Sequence, residues 1–305
     1  MCTAMAWQGL FGRNLDLEYD IPCAVTLTPR HYPLPNQTEH HAILGMALVQ
    51  DNFPLYFDAF NEAGLAMAGL HFPNSAHYNS PQTGSENVPS WQLIPWLLGQ
   101  CGNLAAVRQI LARLNITDEA FSPTFPPSPL HWLIADTADY LVLEACRDGL
   151  HWYDAPVGVL TNEPPFPQQM DRFAQYRHLS PAIPDNTLFP ETELLCVRGS
   201  GAWGMPGDVT SVSRFIRAAF HRRHAVPGDV PAQTTAQFFH ILDSVAQIKG
   251  CVQLPDGSLE YTRYTSCCDL TRGSYAYKTA WDSTAKTVYL QQGDLNCDRL
   301  QILSR

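Results

Sequence analysis

The sequence predicts a layered α+β fold, with two mainly antiparallel sheets stacked face to face and helices outside. Three observations predict it. Strand-like and helix-like segments come in blocks, whereas a doubly wound parallel sheet would alternate them. Apolar residues make up 45% of the chain and charged residues only 16%, a composition that can fill a sizeable core. No linker, repeat or low-complexity tract interrupts the 305 residues, so residues 2–305 read as one domain.

Taken in order, "CTAMAW", "HAILGMALV", "PLYFDAF" and "GLAMAGL" read as early strands, the last two joined by a "NEAG" hairpin turn. "SWQLIPWLLGQ" and "NLAAVRQILARL" read as helices. Strands resume with "HWLIAD", "YLVLEAC", "GLHWYD" and "VGVLTN". Two helices follow, "SVSRFIRAAFHR" and "TTAQFFHILDSVAQI", each with hydroxyl residues able to cap its start. "EYTRYTSCCDL", "SYAYKTAWD" and "KTVYLQQ" are strand-like again. The Pro-dense stretches 123–129 and 164–167 read as shaped loops.

A formal charge of −10 argues against a nucleic-acid partner, because phosphate binding wants a basic face. The basic cluster His221-Arg222-Arg223-His224 is short and reads as a solvated helix end. No run approaches the roughly 18 apolar residues of a membrane span, and the start lacks a signal-peptide pattern. A cytoplasmic protein is therefore expected. The nine scattered cysteines do not form a disulfide framework.

The opening "MCTAMAWQGLFGRNLD" places a cysteine second. A thiol attacks only as thiolate, and an ordinary one has a pKa of about 8.5. A free α-amine, at about 7.7–8.0, is matched well enough to accept that proton. Removal of Met1 would supply such an amine on Cys2 itself, whereas an amide nitrogen is useless as a base. Arg13 and Asp16 are candidate supports, the guanidinium for the sulfur and the carboxylate for the amine. Residues three apart in an extended strand point to opposite faces, so both reach Cys2 only if "RNLD" bends or bulges. A surface Arg and a turn Asp account for them equally well at this level.

Acyl transfer also needs donors for an oxyanion. Asn162 sits where the strand "VGVLTN" meets a Pro-rich turn, and either supplies such a donor or satisfies local backbone. Arg214 falls in the first turn of a predicted helix, where the macrodipole disfavours a cation. An anionic partner such as Asp16 or a substrate carboxylate would offset that. Arg217 and His221 continue its stripe, so a solvated face is the alternative.

The start "MCTAMAWQGLFGRNLDLEY" resembles the opening of the choloylglycine hydrolase family, N-terminal-nucleophile amidases comprising bile salt hydrolases and penicillin V acylases. The resemblance continues through "LYFDAFNEAGLAMAGL", "LHWLIAD", "GVLTNEP", "GMPGDVTSVSRFIRAAF", "QFFHIL" and "YTSCCDL", in the family's order. It implies a four-layer αββα sandwich, usually a homotetramer, with no metal or organic cofactor. It implies Cys2 as nucleophile after loss of Met1, supported by Arg13, Asp16 and Arg214, with Asn162 as oxyanion donor. It also implies that "RNLD" bends. One position departs: "GLHFP" has His71 where bile salt hydrolases typically carry Asn and penicillin V acylases Tyr. The family uses this residue's backbone N–H toward the oxyanion, and that donor survives.

The resemblance implies conjugated bile salts as substrates, with penicillin V or another N-acyl amide as the alternative. An apolar pocket with few polar anchors is then expected. Candidate loops are "CAVTLTPRHYPLPN", "HFPNSAHYNSP" and "FSPTFPPSP", and candidate apolar contacts are Phe60, Met67 and Phe125. Arg198 in "CVRGSGAWG" hints at carboxylate recognition, hence glycine conjugates. A non-catalytic metal protein would rest on Glu39-His40-His41 and Cys267-Cys268, neither of which has the spacing of a structural zinc site.

Overall fold

The computed structural model describes residues 1–37, 39–195 and 197–304. The chain begins with β1 (Cys2–Trp7), β2 (Leu10–Leu17) and β3 (Ala24–Thr28). The hairpin β4 (Ile43–Gln50) and β5 (Phe53–Asn61) leads to β6 (Ala66–His71) and β7 (Glu86–Pro89). Helices α1 (Leu93–Gln100) and α2 (Leu104–Leu111) come next. They precede β8 (Leu114–Thr117), β9 (Leu130–Ala135), β10 (Tyr140–Cys146), β11 (Gly149–Asp154) and β12 (Val159–Leu160). After α3 (Phe166–Ala174), α4 (Ser211–His224) and α5 (Pro231–Asp243), four strands close the chain. These are β13 (Tyr261–Asp269), β14 (Ser274–Thr279), β15 (Asp282–Tyr289) and β16 (Gln301–Ser304).

A six-stranded sheet has the order β12-β1-β2-β13-β14-β15, and an eight-stranded sheet the order β11-β10-β9-β6-β5-β4-β3-β16. Every pairing in both is antiparallel. Helices α4 and α5 pack on β1, β2 and β13, while α1 packs on β4, β5 and β6. The predicted helix–sheet–sheet–helix stack is thus present. One core lies between the sheets, with Phe11, Leu15, Phe60, Ala68 and Leu70, and continues to Phe215 and Phe238 of α4 and α5. A second lies under α1 and α2, with Ile43, Met67, Leu97 and Trp132.

Several segments differ from expectation. "AVTLT", expected within a loop, is β3, held between β4 and the distant β16. Residues 164–167, expected as a loop, lead into α3, whose first turn takes Pro167 where a missing N–H costs nothing. Among the described residues no helix is long and apolar enough to cross a membrane.

Candidate active site

Cys2 is the first residue of β1, pairs with Leu15 of β2 and is buried. Alternation along the strand decides where its side chain points. Thr3 faces α4, where its hydroxyl accepts from Arg214 at 2.6 Å, so the Cys2 sulfur faces the space between the sheets.

Arg13 shares that face of β2. Its Nη2 lies 2.6 Å from Cys2 Sγ, and its Nη1 donates to the carbonyls of Gly69 (2.5 Å) and Phe57 (2.9 Å). Both carbonyls are free because the ladder has opened: β5–β6 pairing runs only to Asp58↔Ala68, and the β4–β5 register skips Phe57. Burial works against the charged guanidinium, but Cys2, Tyr264, Asp58 and Asp16 favour it, and its pKa is raised. Asp58 accepts from Tyr264 at 2.5 Å and from Ser266 and Tyr275 at 2.8 Å. Burial pushes its carboxyl up, against Arg13 and the three hydroxyls.

Asp16 lies on the opposite face of β2 from Arg13, the face on which Asn14 donates to Leu242 O of α5. Its Oδ1 accepts from Thr262 at 2.6 Å, while the buried Oδ2 has no hydrogen-bond partner among the described residues. The bend expected in "RNLD" is not there. The β1–β2 register runs unbroken from Cys2↔Leu15 to Trp7↔Leu10, and the irregularity sits in β13, between Thr262 and Tyr264. Cys2 turns its sulfur toward Arg13 and donates its N–H to Asn162, whereas Asp16 pairs through its backbone with Met1.

The structure retains Met1. Its amine donates to Glu260 Oε1 at 2.5 Å and to Asp16 O at 3.1 Å, and its carbonyl accepts from Asp16 N. Burial raises the Glu260 carboxyl, and the neighbouring amine pulls it down. The Cys2 nitrogen is an amide here and donates to Asn162 Oδ1 at 2.8 Å.

Asn162 Oδ1 also accepts from Arg214 Nη2 at 2.7 Å, and its Nδ2 donates to His71 O at 2.8 Å, leaving the second Nδ2 hydrogen free of that bond. Phe72 N donates to Pro129 O across β6–β9, so the His71 N–H points the other way, toward the gap left by β5. Asn162, which follows β12 of the six-stranded sheet and holds the Cys2 nitrogen, thus meets His71 of the eight-stranded sheet. The His71 ring is exposed at its edge, yet partial burial, then the N-terminal charge, lowers its pKa against Glu18 and Glu163.

Arg214 is fully buried in the first turn of α4. Its Nη1 donates to Cys2 O at 2.5 Å and to Thr3, and its Nε to Val209 O. Carbonyl, hydroxyl and amide oxygens, not the carboxylate expected, are its hydrogen-bond partners. Burial lowers its pKa despite Asp16, Cys2 and Glu260.

A family model, "linear amide C-N hydrolases, choloylglycine hydrolase family", matches residues 2–303. The chain belongs to the choloylglycine hydrolase family. A bile salt hydrolase/transferase of Lactiplantibacillus plantarum is 42% identical over 98% of this chain and 95% of its own. A bile salt hydrolase/transferase of Clostridium perfringens is 32% identical over 99% and 96%. The crystal structure of a mutant conjugated bile acid hydrolase from Clostridium perfringens superposes with a TM-score of 0.92 at 30% identity, covering 100% of this chain and 97% of that one. Penicillin V acylase from Agrobacterium tumefaciens, at 18% identity over 98% and 90%, shares the fold with a TM-score of 0.76.

In this family member the expected pocket residues fare differently. Met67 lies on the helix-facing side of the eight-stranded sheet, opposite in parity to Ala66 and Ala68, and is buried under α1, so it cannot line a pocket beside Cys2. Phe60 is fully buried in the core between the sheets and offers no surface. Phe125 is half-buried on its loop, its ring packed edge-on against Phe121. Arg198 is exposed and makes no ion pair among the described residues.

The residues missed line an apolar cleft between the sheets: Leu15, Leu17, Ile21, Met46, Tyr264 and Trp281. Leu15, the cross-strand partner of Cys2, joins the cleft to the strand pair that carries the sulfur. Arg263 also lines it, and Lys249 Nζ stands 5.0 Å from the Tyr261 ring and 5.3 Å from that of Trp281. Leu15, Leu17 and Tyr264 fall inside the motifs quoted above, but nothing there marks them as cleft residues, because the cleft converges from both ends of the chain.

Burial disfavours the thiolate at five other cysteines. Burial pushes Cys23 and Cys101 up to about 11 and Cys146 to about 12, and holds Cys267 and Cys268 well above the ordinary value. Cys196 lies outside the described residues. Both ring nitrogens of His40 hydrogen-bond backbone carbonyls, those of His41 and Tyr32.

Proposed function

We propose that this chain, trimmed of Met1, is a cysteine amidase that splits glycine- or taurine-conjugated bile salts into bile acid and amino acid. The observation that carries the reading is Cys2 itself: its sulfur touches a buried guanidinium, and its nitrogen is one peptide bond from being a free amine. Once freed, that amine has Asn162 Oδ1 in place, and Asp16, whose Oδ2 is unpartnered, stands across the strands from Met1. The amine takes the thiol proton as the sulfur attacks the amide carbonyl. The second Nδ2 hydrogen of Asn162 and the His71 N–H receive the oxyanion. The α-ammonium then protonates the leaving amine, and water releases the bile acid from the thioester. Arg13 holds the sulfur, and Arg214 holds Asn162 and the Cys2 carbonyl.

The substrate class rests on what the relatives are called and on the cleft, whose apolar walls suit the steroid body of such a substrate. Assays on glycocholate, taurocholate and penicillin V, run in parallel with Cys2→Ala, test it. Turnover of the bile salts that vanishes in a folded Cys2→Ala is expected. A Cys2→Ala protein that still hydrolyses glycocholate, or a wild type acting only on penicillin V, overturns it.

Residues 2–305 are read as one catalytic unit, in a homotetramer, in the cytoplasm. Support for self-association is an irregular strap carrying exposed Leu188 (84%), Leu195 (91%) and Trp203 (70%). Light scattering should give a tetramer that Leu195→Asp dissociates; a monomeric wild type refutes this. Eight free cysteines among the described residues suit a reducing compartment.

A further inference from the structure

His131 of β9 and Glu144 of β10 are both fully buried, with Nδ1 and Oε1 3.0 Å apart. None of the steps above uses them. Both lie on the inner face of the eight-stranded sheet, sharing parity with Leu133 and Val142 of the core between the sheets. The pair reaches across: His131 Nε2 lies 2.8 Å from Thr161 O, at the end of β12 in the six-stranded sheet.

A carbonyl only accepts, so Nε2 carries a hydrogen. A further proton must lie between Nδ1 and Oε1, and Oε1 also accepts from Phe166 N at 2.9 Å at the start of α3. The pair therefore holds one proton arrangement that keeps Nε2 a donor. Phe72 stacks on the imidazole, centroids 4.1 Å apart and planes 7° from parallel.

Thr161 O and Asn162 N belong to one peptide unit. His131 holds its carbonyl end and Ser211 Oγ its N–H end at 2.9 Å, while Gln169 holds the next carbonyl, Asn162 O, at 2.6 Å. The two proposed oxyanion donors are tied to different sheets, Asn162 following β12 of the six-stranded and His71 ending β6 of the eight-stranded. His131 follows Leu130, the cross-strand partner of His71, and touches Phe72 and Thr161, each adjacent to one donor.

We propose that His131 and Glu144 are positioning residues that fix the spacing of the Asn162 and His71 oxyanion donors by tying the Thr161–Asn162 peptide to the sheet that carries His71. This rests on the oxyanion role proposed above for those donors. Glu144 sets the orientation and proton of His131, and His131 sets Asn162.

The test uses trimmed wild type, His131→Leu, His131→Gln and Glu144→Gln. Removing one oxyanion donor outright costs about 10²–10³ in kcat, so displacing one should cost about tenfold to hundredfold. His131→Leu and Glu144→Gln should lose kcat to that extent with KM little changed, while iodoacetamide alkylates Cys2 at the wild-type rate. His131→Gln, which restores an N–H toward Thr161 O, should recover most of the loss. A folded His131→Leu with wild-type kcat overturns the proposal. So does alkylation that falls in step with turnover, or a His131→Gln as impaired as His131→Leu, since both report general damage. Should His131→Leu not fold, Glu144→Gln and His131→Gln decide by the same readouts. A wild type that turns over none of the three amides sinks the functional reading and this role together, whereas active wild type with unimpaired variants sinks only the role.

Discussion

Replacing Arg13 with Met keeps an unbranched apolar stem and removes every donor. The sulfur of Cys2 loses its charge-assisted contact at 2.6 Å, and no other cation is hydrogen-bonded to it among the described residues. Such a bond contributes about 1.5–3 kcal/mol, which corresponds to roughly ten- to hundredfold in rate. The carbonyls of Gly69 and Phe57 also lose their donor, at about 1–3 kcal/mol each if no water replaces it. Against that, a fully buried guanidinium no longer has to be desolvated, and this relief offsets much of the stability loss. The variant is therefore expected to melt somewhat below wild type and to react far more slowly. Iodoacetamide alkylation of Cys2 near pH 7, with the melting curve alongside, measures both. Arg13→Lys should fall between, since an ammonium cannot fork to sulfur and two carbonyls at once. Alkylation of Arg13→Met at the wild-type rate would refute the assignment of Arg13 to the sulfur.

Two further outcomes are expected. An uncleaved N-terminal extension keeps the Cys2 nitrogen an amide, and loss of that base should lower turnover by about 10²–10⁴. Intact mass paired with turnover checks it, and full activity with Met1 retained contradicts it. His71, whose pKa is held below the ordinary value, leaves the folded chain binding fewer protons than the unfolded chain as pH falls through about 6.5. Stability is then lost on acidification, and His71→Asn removes that loss. Its melting temperature relative to wild type should rise between about pH 7 and 5, and an unchanged difference would count against it.

Much of the site was legible because its chemistry is local in sequence. Cys2 stands out by position, Arg214 by being a cation in a helix's first turn, and Asn162 by lying where a strand meets a turn. The spacing of Arg13 and Asp16 was legible too, but its meaning was not. Period-two alternation puts them on opposite faces, and only the unbroken β1–β2 register shows that Arg13 meets the Cys2 sulfur while Asp16 pairs with Met1. Met67 misled for the same reason, since parity within a strand does not reveal which face of a doubly covered sheet meets the site.

By itself the sequence determined the blocks of strands and helices and the stacked α+β architecture, and marked Cys2 and its neighbours as candidates. These follow from periodicity and residue type, which are properties of short segments. Only the tertiary structure decided what surrounds them: the carbonyls that Arg13 grips, the cleft at Leu15 and Trp281, and the His131–Glu144 tie across the sheets. Each depends on backbone groups or on side chains brought together from distant segments. A hydrogen bond to a carbonyl depends on where the chain runs, and every residue type has a carbonyl to offer.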